Sequence, residues 1–71
     1  MKKIIEVSGM SCGHCVTHVA NALKEVPGVM DVDVSLEKGT ATVEVEPSVR
    51  DETLTSAIVA VGYTPGSVRN A

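Results

Sequence analysis

Apolar and polar positions follow two rhythms along this chain, a period of two and a period near 3.6, and they exchange several times. Lys3-Ile4-Ile5-Glu6-Val7 is short, rich in β-branched residues and stopped by Ser8-Gly9, which predicts a strand with Ile5 and Val7 on one face. From about Gly13 to Val26, Val16, Val19, Ala20, Leu23 and Val26 recur at helical spacing. Lys24 in the last turn and Pro27-Gly28 behind it close that helix. Val29 to Leu36 alternates again, predicting a strand that buries Met30, Val32, Val34 and Leu36. After a tight turn at Glu37-Lys38-Gly39, Thr40 to Glu46 alternates with Ala41, Val43 and Val45 inward, so the two runs form an antiparallel hairpin. Leu54, Ala57, Ile58 and Val61 then give a second helix, with Asp51 and Glu52 at its positive end and Gly62 just past it. Tyr63 to Val68 is a weaker final strand. Pro65 lacks a ladder donor, which puts this strand at a sheet edge.

The order β-α-β-β-α-β is that of an α+β, ferredoxin-like sandwich. It implies a four-stranded antiparallel sheet with both helices on one face, the first and third strands central and the second and fourth at the edges. Clean alternation in the hairpin agrees, because it leaves one sheet face wet. Seventy-one residues make a single domain, 1–71, with no linker or low-complexity tract left over. Although 44% of the residues are hydrophobic, there is no Trp, no Phe and one Tyr, so the core is built from Val, Ile, Leu, Ala and Met and is thin. Domains of this size often add a disulfide or a metal.

That makes the only two cysteines, Cys12 and Cys15 in Gly9-Met10-Ser11-Cys12-Gly13-His14-Cys15, the centre of interest. A Cys-x-x-Cys bridge closes too short a loop to remove much unfolded-chain entropy, so the pair is a poor staple and cargo binding is the better reading. Glu6 and the glycines interrupt the N-terminal apolar run before a signal peptide could form, and no run reaches transmembrane length. The expected compartment is the cytoplasm, where thiols stay reduced. A net charge of −3 with scattered basic residues argues against nucleic acid as partner.

Cys15 enters the first helical turn, where unpaired backbone N–H groups and the helix dipole favour thiolate. Structural zinc takes four protein ligands. Here His18 falls roughly 140° from the core direction of its helix and points to solvent, and His14 cannot easily turn inward with the cysteines. Two thiolates with no carboxylate beside them suit Cu(I), with zinc, cadmium and mercury as competitors. Met10 has a thioether, but its place just before the loop fits a plug that tethers the loop to the core. An enzymatic reading, a dithiol oxidoreductase, follows from Cys-x-x-Cys near a β-α-β pattern. The chain is short for a thioredoxin-like fold and lacks a Trp-Cys-Gly-Pro-Cys loop.

Gly-Met-Ser-Cys-Gly-His-Cys after a first strand resembles the Gly-Met-x-Cys-x-x-Cys signature of heavy-metal-associated domains, and the pattern is similar to bacterial cytoplasmic copper chaperones. The likeness extends through Pro27-Gly28-Val29, the alternating hairpin and Gly62-Tyr63. It implies a non-enzymatic carrier that binds one Cu(I) through Cys12 and Cys15 and passes it by ligand exchange to a copper-transporting P-type ATPase. It also implies that Tyr63 lies close to the metal loop. Two chains sharing an ion through their loops would form a metal-dependent homodimer. The alternatives are the metal-binding domain of such an ATPase, or a carrier of another soft metal; an initiating methionine and little spare sequence favour the free-standing carrier. Lys2, Lys3 and Lys24 are the candidate basic residues of a contact surface.

Overall fold

The computed structural model describes residues 1–10 and 13–70. Its elements are β1 (Lys2–Ser8), α1 (Gly13–Lys24), β2 (Val29–Ser35), β3 (Thr40–Val45), α2 (Asp51–Ala60) and β4 (Thr64–Asn70). The strands form one antiparallel sheet in the order β2-β3-β1-β4. Thus the expected ferredoxin-like layout holds, with β1 and β3 central and the proline-bearing β4 at an edge.

Period-two patterning accounts for the core face of the sheet. Ile5, Val7, Ala41, Val43 and Val45 point the same way and are buried. The helices cover that face with Val19 and Leu23 from α1 and Leu54 and Ile58 from α2, all fully buried. Each large aliphatic side chain so placed contributes roughly 1.5–3 kcal/mol relative to exposure, which is how a core without Phe or Trp suffices. α1 ends two residues before its apolar pattern does. The N–H of Val26 bonds the carbonyl of Leu23 at 3.1 Å, a tighter last turn that still buries the valine.

Three expected core residues are not in the core. Register shifts between Val29 and Asp31, so that Val29 faces Val45 and Asp31 faces Glu44, and Met30 becomes the extra residue of a bulge. Val29, Val32 and Val34 keep the inward side while Met30 is 61% exposed. Leu36 is 42% exposed because β2 stops at Ser35 and Leu36 begins the turn. Val61, expected on the inner face of the second helix, lies beyond its last residue and is also exposed. The bulge protects an edge as well. The Asp31 carboxylate accepts the Val32 N–H at 2.9 Å, leaving one donor fewer for another strand.

At the end of the sheet away from the cysteine loop, Lys3 lies on the core side of β1 and is buried. Its ammonium pairs with Asp51 in the first turn of α2, tying the start of β1 to the start of that helix.

Candidate metal site

β1 delivers the chain to the loop at Ser8, which pairs with Thr64 of β4. Gly9 follows at φ +94°, a backbone conformation that favours glycine. A β-carbon on Gly9 would lie 3.6 Å from Cδ1 of Tyr63, so the aromatic ring covers the turn into the loop. Met10 is half-buried and packs on the core cluster, as expected of a plug. The loop therefore leaves a fixed strand under two side chains, one packed on the core and one laid across the turn.

Helix α1 begins at Gly13, whose carbonyl accepts the Thr17 hydroxyl at 3.3 Å. Cys15 stands in its first turn and is half-buried. That turn carries no acidic side chain, and the helix dipole there favours a thiolate. His14 and His18 are exposed. Among the described residues no three His, Cys, Asp or Glu side chains converge on one point. Cys12, the other expected ligand, lies outside the described residues.

Sequence reasoning missed the segments that share the loop's end of the sheet. Because β1 runs antiparallel to β3, the β2–β3 turn sits beside the end of β1, and the Val7 N–H bonds the Gly39 carbonyl at 2.8 Å. The signal was the hairpin itself, once β1 is set against β3. The candidate basic residues of a contact surface lie away from this end. Lys2 and Lys3 open β1 and Lys24 closes α1, all at the far end, and Lys3 is consumed by Asp51. Lys38, in the β2–β3 turn, lies beside the loop's end of β1, whereas Arg69 of β4 pairs opposite Ile4 nearer the far end.

Residues 4–64 match the family model of the heavy-metal-associated domain. The chain belongs to the heavy-metal-associated domain family. Its relatives include the copper chaperone CopZ of Staphylococcus aureus, 45% identical over 47 residues, which are 66% of this chain and 69% of the chaperone. They also include the mercuric reductase of Shigella flexneri, 41% identical over 59 residues, or 83% of this chain. The chain spans only 10% of that reductase's length. Among solved structures, a CopZ metallochaperone superposes with a TM-score of 0.89 at 39% identity, over 93% of this chain and 100% of the other. A copper-binding domain from HMA7, a P-type ATPase, superposes at 0.88 with 32% identity, over 93% and 92%. A metal-binding role follows for this heavy-metal-associated domain. No helix among its described residues is long and apolar enough to cross a membrane.

Proposed function

We propose that this domain is a non-enzymatic copper carrier of the cytoplasm, holding one Cu(I) between the thiolates of Cys12 and Cys15 and handing it to the metal-binding domain of a copper-transporting P-type ATPase. The observation that carries this reading is Cys15 in the carboxylate-free first turn of α1, three residues after Cys12. Thiolates are soft donors that select Cu(I), and among the described residues no three His, Cys, Asp or Glu side chains converge to begin a closed zinc tetrahedron. The likeness to CopZ chaperones and to an ATPase copper-binding domain supports both cargo and acceptor. Transfer needs no change of oxidation state. An acceptor thiolate forms a third copper–sulfur bond, one carrier bond breaks, and the ion is never released to water.

A second reading is favoured by the mercuric reductase relatives, in which the matched stretch is a small part of a longer chain. In that reading the cargo is another soft cation such as Hg(II), and this domain feeds a larger protein. Native mass spectrometry of anaerobically purified protein, combined with chelator competition, separates the two. The copper reading predicts one Cu(I) per chain, with an affinity far above that for Zn(II) and survival against a bathocuproine-type chelator. Copper affinity no higher than zinc affinity would sink it.

A further inference from the structure

α1 and α2 run antiparallel across the sheet and leave between their outer faces a groove of about 770 Å³. Its floor and walls are mostly small or apolar, including Ala22, Val26, Ala57 and Ala60. At the loop's end it runs out onto Val61, which is 39% exposed. Among the described residues lining it, two carry titratable groups, His18 and Glu25, and none is Lys or Arg.

The spacing of those two residues identifies what fits. Glu25 directly follows the last residue of α1 and its N–H still bonds the Asn21 carbonyl at 3.2 Å, so it continues the helical turn; seven positions after His18, it falls on the same face, roughly 10 Å further along the axis. A second α1 lying antiparallel to the first about a twofold axis near Asn21 and Ala22 sets His18 of each chain opposite Glu25 of the other. An imidazole N–H donor then meets a carboxylate acceptor twice, and each α1 forms a ridge that enters the other chain's groove between small residues. We infer that the α1/α2 seam is a self-association surface, occupied by a second copy of this chain in this antiparallel arrangement. The dimer needs no metal. It places the two cysteine loops at opposite ends, so it differs from one bridged through a shared ion and is independent of the cargo reading.

A stable interface of standard size covers about 800 Å² per partner. That is about a fifth of this chain's 4195 Å², more than two short helices supply. The dimer is therefore weak, with a dissociation constant on the order of 100 µM. Sedimentation equilibrium of the whole chain, metal-free and reduced, from tens of micromolar to about a millimolar tests it in that range. The mass is expected to rise from 7.4 kDa toward twice that value. His18→Glu sets two carboxylates together and Glu25→Lys removes both acceptors, so each should weaken association about tenfold. The double variant re-forms both opposite-charge pairs and should restore it. Circular dichroism checks that these exposed sites leave the fold unchanged, and Cys15→Ser should dimerise like the parent. A monomer throughout, single variants that associate normally, a double variant that stays apart, or loss of the dimer in Cys15→Ser each overturns the inference.

Discussion

Gly28, in the turn between α1 and β2, offers a sharp test of how the scaffold is constrained. Its φ is +92°, and a β-carbon there would come within 2.5 Å of Cγ2 of Val49, a buried residue. The backbone cannot easily yield, because the Gly28 carbonyl accepts the Glu46 N–H at 2.9 Å. Gly28→Ala therefore meets two penalties. Left-handed backbone costs an alanine about 1–2 kcal/mol. Forcing a methyl into a packed site costs about 1–3 kcal/mol more. Restricting the unfolded chain returns about 0.4–1 kcal/mol. The net runs from about 1 to about 4.5 kcal/mol, and its middle, about 3 kcal/mol, lowers Tm by about 12–24 °C in a domain of this size. Gly62→Ala is the control: φ is +91° but nothing lies within 4 Å of its β-carbon, so only the backbone penalty applies and the loss is about 1 kcal/mol. Urea unfolding of the metal-free, reduced proteins, followed by circular dichroism, measures both. In the double variant with Val49→Ala, part of the Gly28→Ala loss should disappear as a favourable coupling of about 1–2 kcal/mol. Equal losses at Gly28 and Gly62, or no coupling to Val49, would refute the contact argument. Metal affinity of the folded Gly28→Ala protein should match the parent, since the turn lies at the end of α1 remote from Cys15.

Cys15→Ser should abolish tight soft-metal binding, read by chelator competition, while shifting the metal-free Tm by no more than a few degrees; a large destabilisation would mean that the thiol supports the fold. Met10→Ala should cost about 1–2 kcal/mol, less than for a fully buried methionine, and Met10→Leu should be near neutral in both stability and metal affinity. A strong loss of affinity in Met10→Leu would make the thioether a ligand. Asp51→Ala strands the buried Lys3 ammonium and should destabilise by about 1–3 kcal/mol, whereas Lys3→Met, which removes the charge and keeps the stem, should cost under about 1 kcal/mol by thermal unfolding.

Most of the architecture was legible because period two and period 3.6 are distinct signals, and here each apolar run follows one of them. Ala41, Val43 and Val45 are buried as alternation requires, and Leu54 and Ile58 as helical spacing requires. Met30 shows where pattern ends and tertiary register takes over. It continues the alternation of Val32 and Val34, yet one extra residue in β2 moves it outward and gives its inward place to Val29. Nothing local encodes that shift, which is settled by Val45 and Glu44 on the facing strand. Lys3 erred the other way. A lysine early in the chain reads as surface charge, and only the arrival of Asp51, 48 residues later, makes its burial tolerable. At the site, the helix start, the exposed histidines and the packed Met10 followed from spacing, while the neighbouring β2–β3 turn needed the strand order.

These placements divide the domain into two ends with different jobs. At the end remote from the cysteines, Lys3 is tied to Asp51, Val49 lies close over Gly28, and the Val45 N–H bonds the Met1 carbonyl at 2.7 Å. Such contacts fix the sheet and both helices without touching the loop. At the cysteine end Ser8 pairs with Thr64, Tyr63 lies over Gly9, Met10 packs on the core, and the Val7 N–H bonds the Gly39 carbonyl. They position where the chain leaves β1 and where α1 begins, and they stop short of enclosing Cys15, which remains half-buried. Under the proposed carrier function an acceptor thiolate must reach the ion, and the partial exposure of Cys15 suits that approach. The core packed between the sheet and both helices does not depend on the cargo, so under that proposal the fold need not be loosened for the ion to leave.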